Sequence, residues 1–195
     1  MGKPGVDHFE YIVIMTGAGI LAESGIDTFR GVDSLRSKVD IEDVAAPEGF
    51  RRNPELVHYF HNQIRRSLQS HAPNAAHRAL SKLEAQHSGT VLVVTQNVDD
   101  LHERAGSQNL VHMHGELYKV RCQACDGIYN RAYDLGVESP CQQCRAVGQM
   151  RPHVTWFYEM PMQMMVIDDA LAACDLFISI GPSGNFCPAA AFRPN

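Results

Sequence analysis

The chain has 195 residues, 45% hydrophobic and 20% charged, with a formal net charge of −5. That length buries one substantial core and leaves room for one small inserted module. The acidic balance, with basic residues dispersed apart from pairs such as Arg51-Arg52 and Arg65-Arg66, lacks the broad positive face of a nucleic-acid binder; a basic partner, such as a lysine-bearing protein tail, suits it better.

In chain order, the first element is the apolar run Tyr11 to Met15, too short for a signal-peptide core and leading straight into a glycine turn. No run has the length of a membrane helix. Val6 stands where a myristoylation signal requires Ser or Thr. The expectation is a soluble, cytoplasmic protein with no membrane partner. Its six cysteines then read as reduced thiols used for metal, not disulfides.

Gly17-Ala18-Gly19 follows this strand and precedes a short helix, with Ala22 where a dinucleotide fingerprint allows Gly or Ala. Two readings stand: backbone amides and a helix N-terminus that receive a pyrophosphate, or simply a tight turn between strand and helix. Helical patterns follow over Asn53 to Leu68, opened by Asn-Pro as cap and first-turn residue, and over Asn74 to Gln86. TVLVV then precedes Thr95-Gln96-Asn97, and after a helix over Asp168 to Ala173 the run DLFISI precedes Gly181-Pro182-Ser183. Near-continuous apolar runs suit parallel strands buried on both faces. The alternation of β and α predicts an α/β fold with a doubly wound parallel sheet, its ligands beyond the carboxyl ends of the strands.

Between the second and third of these strands the chain loses apolar periodicity and gains four cysteines, which marks an inserted lobe over residues 120–151, with residues 1–119 and 152–195 forming the main domain. Cys122-x-x-Cys125 and Cys141-x-x-Cys144, fifteen residues apart, match a tetrahedral four-cysteine zinc site over a redox dithiol. Four thiolates leave no position for water, so the zinc is expected to be structural. Gln96, Asn97 and Asp99 suit a neutral polar ligand or a held water, or else a turn and helix cap. His112 and His114 alternate and so point the same way in an extended segment, as a general base or as structural histidines. Pro152 to Phe157 reads as a core strand or as an edge that pairs with a peptide. Met160 to Met165 reads as adaptable packing.

Together GAGILAESGIDTFRG (Gly17 to Gly31), TQNVDDLHERAG (Thr95 to Gly106), HMHGEL, the cysteine pairs, RPHVTWFYE (Arg151 to Glu159) and GPSGNFCPAA (Gly181 to Ala190) resemble the sirtuin family of NAD-dependent protein-lysine deacylases, most closely its bacterial class III branch. The resemblance implies a Rossmann-type domain carrying a zinc lobe, with NAD and an acyl-lysine protein substrate in the cleft between them, and no direct nucleic-acid partner. It assigns Gly17, Ala18, Gly19, Ala22, Phe29, Arg30, Gly181 and Ser183 to the NAD pocket. Gln96 and Asn97 fall near the ribose, and Asp99 falls near the nicotinamide amide. His114 is implied as the catalytic base, assisted by Asn97 and Asp99. Val154, Phe157 and Glu159 are implied to hold the substrate backbone. The implied products are nicotinamide, free lysine and O-acyl-ADP-ribose.

Four departures stand at functional positions: Leu21 for the family's Ser, Pro182 in its Gly-Thr-Ser, Tyr158 for the Gly of Phe-Gly-Glu, and Cys187 for a Tyr. The class III Tyr-x-x-Arg pair that fixes an acidic acyl group falls on His61 and Ile64, with Arg65 expected to point elsewhere on the helix. Acetyl-lysine is therefore the expected substrate. The family continues beyond the position of Asn195, so the resemblance also implies a shortened chain with a bare sheet edge, and with it an alternative: an inactive remnant that keeps zinc and binds NAD weakly at most.

Overall fold

The computed structural model describes residues 8–26 and 40–182. Strand β1 (Tyr11–Thr16) passes through a 3₁₀ helix (Ala18–Ser24) and, after the undescribed stretch, into helices α1 (Ile41–Val44), α2 (Pro47–Arg52), α3 (Pro54–Leu68) and α4 (Ala75–Gln86). Then come β2 (Thr90–Thr95), α5 (Leu101–Ala105), β3 (Leu110–His112), β4 (Gly115–Cys122), β5 (Ile128–Asn130), β6 (Met150–Val154), α6 (Met164–Ala173) and β7 (Leu176–Ile180).

Four strands form a parallel sheet in the order β3-β2-β1-β7. The predicted α/β architecture with a parallel sheet is therefore present. The apolar runs of β1 and β2 alternate between two cores, as the period-two geometry of a strand requires. Ile12, Ile14, Val91 and Val93 face Ile20, Leu21, Leu80 and Leu101, whereas Val13, Met15, Leu92 and Val94 face Val111, Met113, Ile167 and Ala170. Each side chain buried this fully contributes about 1.5–3 kcal/mol, so these two central strands anchor everything attached to their ends. Strand β7 is only half-buried along most of its length, and what lies beyond residue 182 is outside the described residues.

The helix boundaries follow local chemistry. Asn53 caps α3 by accepting the amide of Leu56 at 3.0 Å, with Pro54 in the first turn where its missing N–H costs nothing. Asn74 caps α4 and exchanges hydrogen bonds with His77 in a capping box. Helix α6 starts at Met164, four residues before the predicted Asp168, so the end of the methionine run is helical.

The second sheet has the order β5-β4-β6 and is antiparallel. It runs from Gly115 to Val154, so β4 and β6 both cross the boundaries expected at residues 119/120 and 151/152. The cysteine segment hangs from this sheet, and an apolar cluster of Phe50, Val57, Leu68, Leu117, Val154 and Trp156 joins the sheet to α2 and α3. Pro152 to Val154 is thus a largely buried strand paired to β4, and because β6 is the outer strand of the order β5-β4-β6 the segment is at once packed on the core and an edge.

Candidate active site

Chain order reverses direction at β1, because β2 and β3 lie on one side of it and β7 on the other. A ligand crevice forms outside the carboxyl end of such a switch point. Here Gly17, Gly19 and Gly181 meet at van der Waals limits: a Cβ on Gly17 would lie 2.5 Å from Pro182 Cα, and one on Gly19 would lie 2.7 Å from Gly181 Cα. Gly181 has φ +62°, a left-handed conformation suited to glycine. The amide of Gly19 donates to Gly181 O at 2.9 Å, and that of Ile20 donates to Gly17 O at 3.1 Å. With Gly17 N–H donating to Ile180 O at 3.1 Å, three of the turn's amides are spent within the protein. Leu21, which stands where the family has Ser, is buried in the apolar core and so does not crowd the turn.

The end of β2 completes the crevice wall. Asn97 Nδ2 donates to Gly17 O at 3.1 Å and its amide donates to Thr95 Oγ1 at 3.1 Å, which ties the two strand ends together. Gln96 sits beside Gly17, and its Nε2 is buried with no hydrogen-bond partner among the described residues. An orphaned donor of that kind suits a polar ligand, because a buried amide left unpaired costs about 1–3 kcal/mol. Burial raises the Asp99 carboxyl to about 6, although the amide of Leu101 and the charge of His112 oppose the rise.

His114 Nδ1–H donates to Gln96 O at 2.9 Å, which fixes the tautomer that carries the lone pair on Nε2. Burial lowers its pKa, and this hydrogen bond partly offsets the shift, so the ring is neutral and basic near pH 7. The alternation seen in the sequence places His112 on the following carbonyl, with Nδ1–H donating to Asn97 O at 3.2 Å. Gln96, Asn97 and His114 are thus brought together by direct contacts, with Asp99 beside them.

A second group lies between α3 and β6. His61 is buried, donates Nδ1–H to Val57 O at 2.9 Å and accepts Trp156 Nε1–H at 3.4 Å; burial holds it at about 4 and therefore neutral. Ile64 packs on the same apolar cluster. Arg65 turns toward the small sheet, as expected, with Nε donating to Leu117 O at 3.0 Å. Glu159 is engaged by its own loop and by the small sheet, where Arg121 on β4 donates to it at 3.3 Å. Arg151 binds it bidentately at 2.6 and 2.9 Å, the Trp156 amide donates to it at 2.8 Å, and the Glu159 amide itself donates to Trp156 O. Phe157 donates its amide to Ala45 O at 2.8 Å, and Val154 is buried opposite Gly115. Tyr158 takes φ +68° with its side chain 81% exposed, and its hydroxyl donates to Glu42 at 2.9 Å.

Cys122, Cys125, Cys141 and Cys144 converge, with Sγ–Sγ separations of 3.7 Å for Cys122–Cys144 and 3.6 Å for Cys125–Cys141. A zinc ion about 2.3 Å from each of four tetrahedral sulfurs sets their spacing at about 3.8 Å, so the cluster fits structural zinc. Cys174 is half-buried and donates its thiol to Leu171 O at 3.4 Å.

Comparison with known proteins bears on this geometry. The model of the Sir2 family matches residues 17–188, which takes in the glycine turn, the crevice wall and the cysteine cluster. The chain belongs to the Sir2 family. Proteins named NAD-dependent protein deacylase from Pasteurella multocida and Vibrio vulnificus are 55% and 53% identical to it over 183 and 189 residues, covering 93% and 95% of this chain and 78% and 77% of theirs. A Sir2 homologue in complex with NAD superposes with a TM-score of 0.83 at 37% identity, covering 95% of this chain and 73% of that one. A Sir2 protein bound to an acetylated peptide gives 0.75 at 28% identity, covering 93% and 74%.

Among the residues that resemblance to sirtuins points to, Phe29, Arg30 and Ser183 lie outside the described residues, as does Cys187. Sequence reasoning missed three arrangements. The His102 ring lies 3.0 Å from Thr16 Oγ1 at the end of β1. The Arg151 guanidinium stacks 3.3 Å over the Trp156 ring while binding Glu159. Glu103 lies 2.8 Å from His112. The last pair left a trace in the His-x-His alternation, the first joins positions 86 apart in sequence, and the second depends on how the chain turns after β6.

Proposed function

We propose that this sirtuin removes acyl groups, acetyl foremost, from protein lysine side chains with NAD, giving nicotinamide, free lysine and O-acyl-ADP-ribose. The observation that carries this reading is the convergence of His114, Gln96 and Asn97 on the glycine crossing at the sheet's switch point. NAD supplies the nicotinamide leaving group and the ribose that receives the acyl group. His114, with its lone pair on Nε2, serves as the base for a ribose hydroxyl. Gln96 and Asn97 face the ribose, and ionised Asp99 accepts the nicotinamide amide. Gly17, Ala18, Gly19, Ala22, Phe29, Arg30, Gly181 and Ser183 line the rest of the NAD pocket, and the backbone of Val154 and Phe157 borders the substrate. Glu159 acts on that border indirectly, by holding the loop to Arg151.

Acetyl is favoured because the pair facing the acyl end is a neutral His61 and an aliphatic Ile64, neither of which neutralises a carboxylate. We assign residues 1–119 and 152–195 to the NAD-binding domain and 120–151 to the zinc lobe, the small sheet bridging them. No helix among the described residues is long and apolar enough to cross a membrane. We place the reaction in the cytoplasm, whose reducing conditions keep four cysteines available for zinc.

The test is nicotinamide release from NAD with acetyl-, succinyl- and longer acyl-lysine peptides. Acetyl-lysine is expected to give the highest kcat/KM. A preference for succinyl-lysine would reject the acetyl assignment and point to Arg65, whose buried Nη2 has no partner among the described residues. Absence of turnover with every acyl peptide would reject the function.

A further inference from the structure

Glu103 on α5 and His112 at the end of β3 make a contact that none of the roles above uses. Glu103 Oε1 lies 2.8 Å from His112 Nε2, and Asn97 O lies 3.2 Å from His112 Nδ1. Both acceptors lack a proton, so only the doubly protonated imidazolium can donate to both. The ring is buried, at 7% exposure. A buried cation persists when it is paired and hydrogen-bonded at once, and here both conditions hold.

We propose that Glu103 and His112 are a positioning pair for the Gln96–Asp99 segment: the carboxylate holds the imidazolium, and the imidazolium clamps the Asn97 carbonyl and faces Asp99 as a fixed positive charge. This inference rests on the proposed NAD-dependent deacylation. Clamping matters because Asn97 also holds Gly17 O, and the adjacent Gln96 carbonyl orients His114. One buried charge thus braces two carbonyls of the crevice wall, directly and through the chain.

The charged and titratable groups around His112 come from three segments: Glu103 and His102 from α5, Asp99 from the end of β2, and Glu116 from β4. Glu116 reaches within 4.8 Å of the pair, and its carboxylate is held by Lys119 at 2.6 Å. Burial alone would lower the His112 pKa, yet the hydrogen bond and charge of Glu103 outweigh it and the pKa is raised. The His112 charge in turn works against the burial of Asp99 and favours its ionised form. Removing the Glu103 charge lets His112 lose its proton near pH 7, which makes Asp99 harder to ionise. The direct repulsion between Glu103 and Asp99 acts the other way and is the smaller effect.

The experiment compares wild type, Glu103→Gln and Glu103→Asp, all as the full zinc-loaded chain. Imidazole NMR titrations of His112 are recorded alongside pH profiles of kcat and of KM for NAD with an acetyl-lysine peptide. Wild-type His112 should titrate above the ordinary histidine value, and in Glu103→Gln it should fall below that value. Loss of one charge-assisted contact predicts about a tenfold rise in KM for NAD at pH 7, with kcat changed less than threefold. The acid limb of kcat/KM should move to higher pH in Glu103→Gln and stay near its wild-type position in Glu103→Asp, which keeps the charge. Wild-type His112 titrating at or below the ordinary value overturns the pair whether or not the chain turns over. A lowered His112 pKa with unmoved KM and acid limb overturns its positioning role, as does an equal shift of the limb in both variants.

Discussion

Glu159→Ala tests the physical reading of the loop after β6. Arg151 is buried, with its side chain 2% exposed, and Glu159 is 21% exposed. Two hydrogen bonds join them, at 2.6 and 2.9 Å, and a third from the Trp156 amide fixes the carboxylate. Removing one partner of a buried ion pair costs about 3–5 kcal/mol, because the other charge stays buried and uncompensated. The partial exposure of Glu159 argues for the lower end, about 3 kcal/mol. At about 2–4 °C per kcal/mol for a chain of this size, Tm should fall by about 6–12 °C. Glu159→Gln, which keeps one acceptor, should lose roughly half as much. The wild type carries the same signature in its pH dependence. Burial alone would raise the Glu159 pKa, but Arg151 and the Trp156 amide overcome it and hold the carboxyl below its ordinary value. The folded state thus favours the ionised form, and the resulting stability is present above the unfolded pKa and lost as pH falls through the folded one. Circular dichroism melts between pH 3 and 7 read both effects. A Glu159→Ala melt within about 1 °C of wild type at pH 7 would show that the Arg151–Glu159 pair contributes no stability.

Three further outcomes follow from the same geometry. Gly17→Ala should raise KM for NAD at least tenfold, because its Cβ meets Pro182 Cα at 2.5 Å and backbone must move; kinetics at saturating peptide read this, and an unchanged KM would contradict it. With Asp99 held at about 6 by burial and the His114 pKa lowered, the acid limb of kcat/KM should fall near pH 6, and Asp99→Asn should remove it; a limb that survives in Asp99→Asn would assign it elsewhere. Elemental analysis should find one zinc per chain, and Cys141→Ser should lose the metal together with the packing of Val120, Leu135 and Met150 around it, seen as increased amide exchange over residues 120–150; full zinc occupancy in the variant would contradict the four-thiolate site.

The parallel sheet was legible because β1 and β2 are apolar on both faces, a pattern that only a doubly covered strand produces. The cysteine cluster was legible from spacing alone, since two tight knuckles bring four sulfurs to one point wherever the chain runs between them. Asn97 was legible just past the end of β2 and His114 from the His-x-His alternation, whereas their meeting at the switch point depends on the sheet order. What escaped was set by tertiary geometry. Leu21 reads only as a departure from the family's Ser, and the 3₁₀ helix places it in the core. Glu159 reads as a residue facing substrate, yet Arg151 captures it eight positions away. Tyr158 keeps the left-handed backbone where the family has glycine, anchored by Glu42 from a helix more than a hundred residues earlier.

As the base of the proposed NAD-dependent lysine deacylation, His114 acts on the chemistry and not on NAD binding. The direct measurement pairs calorimetric NAD affinity with acetyl-lysine turnover in wild type and His114→Ala. The variant should bind NAD within about threefold of wild type while O-acetyl-ADP-ribose formation drops by at least about a hundredfold. Turnover of His114→Ala close to that of wild type would contradict that role.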